Sequence, residues 1–153
     1  MKDTLCHNVI VYLLLITFGL NSCKKHSIDK LNISLHDKPL SFIQSHIKGN
    51  WKLHHESGGF CGSCVFFPND SSFNLFISLT PEKIIARNAA RTTVDTTIVW
   101  SNVNIFGDST FIMNFHDKNG YPFILGAREI INDTLALYQP GPDGLYFYYT
   151  KTN

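Results

Sequence analysis

Phe111-Ile112-Met113-Asn114-Phe115-His116-Asp117-Lys118-Asn119-Gly120-Tyr121-Pro122-Phe123-Ile124-Leu125 is the stretch whose reading decides the fold. Phe111, Met113 and Phe115 alternate along an extended chain. Asp117 to Gly120 then form a turn whose Asn-Gly pair tolerates positive φ, and Tyr121, Phe123 and Leu125 resume the same period of two. This predicts a β-hairpin. Downstream, Asn132-Asp133 is a second turn, Leu135 and Leu137 mark a strand, Pro140 to Gly144 make a reverse turn, and Leu145, Phe147 and Tyr149 mark the last strand. Upstream, the β-branched run Thr92 to Ile105 holds Val94, Ile98 and Trp100 in one phase and Val103 and Ile105 in the other, which predicts a bulge or bend near Trp100. Lys83 to Asn88 precede it, after the turn at Pro81-Glu82. Before that, Phe73, Leu75, Ile77 and Leu79 alternate on one strand, and Trp51 and Leu53 on another. Eight sequential strands with short links leave two exposed edges, a problem that closure removes. The expectation is an all-β fold: an eight-stranded antiparallel up-and-down barrel.

Composition agrees. The 153 residues include twelve Phe and six Tyr, aromatic residues that pack well on pleated surfaces. Thirteen basic side chains against twelve acidic ones leave almost no net charge and form no stripe, so nucleic acid is not an expected partner. Ahead of the first strand, Leu40, Ile43 and Ile47 have helical spacing, which predicts a short helix from Leu40 to Lys48, just before Gly49. His26 to Pro39 is polar with isolated apolar residues and no sustained period, as in a tether. The run Val9 to Leu20 carries no charge but is too short to span a bilayer as a helix, which needs about 20 residues. Its length suits the core of a signal peptide. The organisation expected is therefore a leader over 1–22, a flexible tether over 23–39 and one barrel domain over 40–153.

Two resemblances add to this reading. Leu20-Asn21-Ser22-Cys23 resembles the lipobox of bacterial lipoproteins, with an apolar residue three before the cysteine and a small one immediately before it. That resemblance implies cleavage ahead of Cys23, lipidation of its thiol, and a chain held by acyl groups in the bacterial envelope, with the outer membrane the expected site; two or three acyl chains anchor essentially irreversibly. Ile47-Lys48-Gly49-Asn50-Trp51-Lys52-Leu53, in which a helix runs into Gly-x-Trp, resembles the lipocalin signature. Asp133 to Tyr138 followed by Asp143 to Tyr149 is similar to the closing hairpin of bacterial lipocalin-like lipoproteins. The resemblance covers residues 40 to 152 and gives Gly49 and Trp51 a structural role, with Trp51 plugging one end of the barrel. In that family a basic residue late in the barrel packs over the Trp; Arg128 and Lys151 are the two candidates here.

Three other constellations bear on chemistry. With Cys6 in the leader and Cys23 lipidated, Cys61 and Cys64 of Cys61-Gly62-Ser63-Cys64 are the remaining thiols. A local disulfide is the plain expectation in an oxidising envelope. A redox site is the sharper alternative, but Val65 to Asn69 lacks the capped helix that lowers a thiol pKa in such sites. His54 and His55 beside the cysteines suggest a metal set, yet adjacent residues on a regular strand face opposite sides, and a second closely spaced ligand pair is missing. No metal or cofactor is expected. His116-Asp117 and Asp133-Thr134 sit at hairpin ends where polar residues belong, and no nucleophile elbow, phosphate loop or His-Glu-x-x-His motif occurs. An enzyme is therefore not the expectation.

Three functions are compatible with these residues. The leading one is a binding module whose barrel holds a small hydrophobic ligand against inward Phe73, Leu75, Phe111, Met113, Phe123 and Phe147. The second is a structural or protein-interaction lipoprotein, its barrel filled by the same side chains and its function carried by the loop Ser57 to Ser72. The third is redox chemistry at Cys61 and Cys64.

Overall fold

A computed structural model describes residues 30–105 and 108–152; the expected leader and Cys23 lie outside the described residues. In chain order the elements are β1 (Asn32–Ser34), α1 (Leu40–Ile47), β2 (Gly49–Gly58), a 3₁₀ turn (Gly59–Cys61), β3 (Val65–Phe66), β4 (Phe76–Leu79), β5 (Lys83–Arg87) and β6 (Thr92–Thr97). They continue with β7 (Val99–Ile105), β8 (Asp108–His116), β9 (Pro122–Ile131), β10 (Thr134–Gln139) and β11 (Leu145–Thr152). Pairing runs β6-β5-β4-β2-β11-β10-β9-β8-β7, all antiparallel, so that β2 and β11 meet over Asn50–Gly58 and Leu145–Thr152. The fold is a nearly closed antiparallel barrel.

The path contains nine strands where eight are expected. The extra one arises because the long run from Thr92 is broken at Ile98: its first half pairs with β5 and its second half with β8. The Ile98 amide donates to Glu82 O at 2.8 Å and its side chain enters the core, which turns the chain from one neighbour to the other. The bend lies two residues before Trp100, whose indole N–H donates to Pro81 O at 2.7 Å. The seam left between β6 and the end of β8 is bridged by Lys118 N donating to Thr93 O at 3.2 Å.

Turn chemistry sets the register. In the 117–121 hairpin, Asp117 Oδ1 accepts from the amides of Asn119 and Tyr121, each at 2.8 Å, and Gly120 supplies the positive φ of 85°. Phe115 and Phe123 then face each other across the ladder, as do Met113 and Leu125. Asn132 and Asp133 both take positive φ, the backbone of a two-residue turn matched to strand twist.

The helix end of the barrel is packed solid. Ile43 and Ile47 of α1 are buried, and the Trp51 indole donates to Ile47 O at 2.8 Å, satisfying one of the carbonyls a helix C-terminus leaves open. Gln44 Nε2 also donates to Pro81 O at 3.2 Å, so α1, the β4–β5 turn and Trp100 share one anchor.

Two expectations about the periphery are corrected. The segment 23–39 is not all tether: β1 pairs with β9 over Glu129 to Ile131, Leu35 is fully buried, and Ile33 packs on the core. The cause is a bulge in β9 that leaves Arg128 outside the ladder, so its carbonyl accepts from both Leu35 N at 2.8 Å and His36 N at 3.1 Å. The alternation Phe73-Leu75-Ile77-Leu79 is likewise not one strand. A turn with Leu75 N donating to Ser72 O interrupts it, and β4 begins at Phe76.

Candidate functional site

The opposite half of the barrel, where the 58–75, 88–91, 117–121 and 140–144 loops gather, holds a partly open cavity of about 330 Å³. That volume falls at the lower end of small-molecule pockets, roughly 300–1,000 Å³. Ile77 of β4, Ile84 and Ala86 of β5, Val94 of β6 and Leu125 of β9 supply aliphatic wall. Phe115, Phe123, Phe73 and Phe147 supply aromatic wall; Phe73 stacks on Phe123 at 5.2 Å between ring centroids, and Phe123 on Phe115 at 5.7 Å. Phe73 precedes β4 and is held by its backbone: Thr93 Oγ1 donates to Phe73 O at 2.7 Å, and Thr93 is itself buried.

The polar groups on this wall are few: Glu56, Ser72, Asn74 and the Tyr149 hydroxyl. Glu56 reaches the inside through a bulge. Leu53 is paired with Tyr149, His55 with Tyr148 and Glu56 with Phe147, so His54 is an extra residue in β2. On a regular strand that kept His54 in the ladder, alternation from Trp51 and Leu53 would turn His55 inward and Glu56 out. Burial raises the Glu56 carboxyl above its ordinary pKa. Tyr149 is wholly buried and accepts a hydrogen bond from Asn74 Nδ2 at 2.7 Å; burial first, and then the nearby Glu56, hold its phenol proton on.

Of the six residues expected to face a ligand, Phe73, Phe123 and Phe147 line the cavity together. Met113 is wholly buried in the packed core, and Phe111 packs against that core from the helix half of β8. Leu75 is buried outside the main cluster, in a separate groove with Phe67, Pro68 and Ala89. Two causes set these three apart: Phe111 and Met113 lie too far along β8, and the turn before β4 takes Leu75 out of phase with Ile77. Glu56, Asn74 and Tyr149 were not anticipated. The even spacing of Phe147 and Tyr149 was the one available signal, whereas nothing in the residue pattern marks the bulge that delivers Glu56.

Trp51 is 2 % exposed and closes the helix end, with Lys151 Nζ 5.7 Å from its ring centroid. Lys151, the cross-strand partner of Trp51, therefore takes the position over the indole. Arg128 instead lies over Tyr146 and donates to its hydroxyl at 2.7 Å. Gly49 has φ of 142°, a backbone only glycine adopts without strain, where α1 turns into β2.

Cys61 and Cys64 are joined in a disulfide within the exposed first loop, beside Phe60, which is 97 % exposed. His54 and His55 do not point to opposite faces: the bulge brings their Nδ1 atoms to 2.8 Å, and His55 stacks on Tyr148. Among the described residues no group of three or more His, Cys, Asp and Glu side chains is placed to hold a metal ion. No family model matches the chain, and neither a curated protein nor a solved structure matches it.

Proposed function

We propose that this protein is a membrane-anchored, lipocalin-like lipoprotein of the bacterial envelope that binds a small hydrophobic molecule inside its barrel and is not an enzyme. The observation that carries the binding reading is the cavity of about 330 Å³ walled by Phe73, Phe115, Phe123 and Phe147. A barrel serving only as a scaffold would gain stability by filling that space, because lining atoms without partners forgo dispersion contacts. The scaffold reading, with function on the Ser57 to Ser72 loop, is the weaker alternative. It draws on one feature, the exposed Phe60, Phe66 and Phe67. Cys64 is followed by the extended β3 and not by a helix whose N-terminus would lower a thiol pKa, which supports a structural staple over a redox centre.

The test is calorimetric titration of the purified protein with octanol, together with mass spectrometry for a co-purifying small molecule. Saturable binding that is lost when the cavity is filled supports the reading. A flat titration with no co-purified guest refutes it. The anchor is tested separately: Cys23→Ser should move the protein from the membrane fraction to the soluble one, and unchanged fractionation would refute lipidation there.

A further inference from the structure

We propose that the barrel cavity selects apolar amines, seating the ammonium group of the guest against Glu56 and its hydrocarbon among the phenylalanines. The inference rests on the ligand-binding reading above and adds the chemical class of the guest.

Three features point to it. First, among the described residues Glu56 is the one carboxyl on the cavity wall, and no Lys, Arg or His lines it. The other ionisable group there, Tyr149, is kept as a neutral phenol by burial. A guest carboxylate would meet a like charge with no cation to offset it, whereas an ammonium finds its counter-charge at hand. Second, the wall offers an acceptor beside the carboxylate. Asn74 Nδ2 donates to the Tyr149 hydroxyl, which leaves the Asn74 amide oxygen to accept alongside Glu56. An ammonium offers three donors and no acceptor, an alcohol only one donor. Third, Phe147 stands directly across the ladder from Glu56, and the Phe73–Phe123–Phe115 stack faces the same space. The negative faces of such rings attract a desolvated cation, and charge-assisted hydrogen bonds are about twice as strong as neutral ones.

Glu56 is also an odd residue to keep in an apolar half-barrel without a partner. It makes no hydrogen bond or ion pair among the described residues, and its partial burial disfavours the charge. A cationic guest would offset that penalty.

The experiment compares octylamine, octanol and octanoate by calorimetry at neutral pH, on the unaltered protein and on Glu56→Gln. The three share one hydrocarbon chain, so differences report the head group. Octylamine is expected to bind about tenfold tighter than octanol, a difference of one charge-assisted contact, and octanoate weakest. In Glu56→Gln the advantage of the amine should vanish while octanol binding persists, which also shows that the variant is folded. Equal affinity of octylamine and octanol, or an amine advantage that survives Glu56→Gln, would overturn amine selection and leave the cavity reading standing. Failure of all three to bind would overturn both.

Discussion

Ala86 and Ala127 offer a matched pair that tests whether the barrel holds usable space. Both are small, buried and inward, but Ala86 lines the cavity, whereas Ala127 sits in the packed part of the core opposite Leu137. Replacing either by Leu adds three carbons. At Ala86 those carbons enter cavity space bordered by Ile77, Ile84 and Val94. At about 0.8 kcal/mol per buried methylene, the upper bound on the gain is roughly 2.4 kcal/mol, reduced by lost rotamer freedom and imperfect fit. We expect Ala86→Leu to stabilise the domain by about 1 kcal/mol. At Ala127 the same atoms have no space, and overpacking costs typically about 1–3 kcal/mol. Urea unfolding with the disulfide intact measures both, with the slope checked to be unchanged so that midpoint shifts report stability. The two substitutions should move the midpoint in opposite directions, and Ala86→Leu should abolish octanol binding. Destabilisation of similar size at both sites would show that the space beside Ala86 cannot accept atoms, and the argument for a guest would fall with it.

Further outcomes follow from the same structure. Glu56 has its folded-state pKa raised by burial above the ordinary value of 4.5, so between that pH and the raised value the folded protein holds more protons than the unfolded one. Its contribution to stability is therefore fully present below about pH 4.5 and is lost as pH rises through the folded value. Glu56→Gln should flatten this part of the pH–stability profile, and an unchanged profile would refute the assignment. Trp51→Ala, at a site 2 % exposed and bonded to Ile47 O, should cost about 3–5 kcal/mol in urea unfolding, while Lys151→Ala should cost only about 0.5–1. Gly126→Ala would drive a methyl into the Tyr138 ring, and about 1–3 kcal/mol of destabilisation is expected, read from the thermal midpoint. Cys61→Ser with Cys64→Ser opens a ring of sequence separation 3, so the loss should not exceed about 2 kcal/mol, and octanol affinity should be unchanged.

Period-two alternation made the barrel legible wherever a strand is regular and its turn carries distinctive residues. The 108–131 hairpin, the 134–152 hairpin and the meeting of β2 with β11 all follow from residues visible in the chain. What escaped are places where a backbone event changes the phase without a residue to announce it. The break at Ile98 depends on which neighbour offers a carbonyl, namely Glu82. Strand β1 exists because Arg128 bulges out and offers its own carbonyl to Leu35 and His36 a long way off in sequence. For the site, the phenylalanines near the loops were legible as inward but not by depth, so Met113 and Phe123 looked alike although one is core and the other cavity wall.

The extra residue at His54 has a consequence for how this barrel can vary. One spare amino acid reverses odd and even along β2, so the stretch packed near Trp51 and the stretch beyond His55 obey separate inside-outside patterns. Deleting His54 would heal the ladder and still leave Glu56 indoors, whereas deleting Lys52 would swap the facing of Trp51 relative to everything after it. Shortening at that single position should thus be tolerated when the same change two residues earlier is not, a contrast that no inventory of side-chain contacts would foresee.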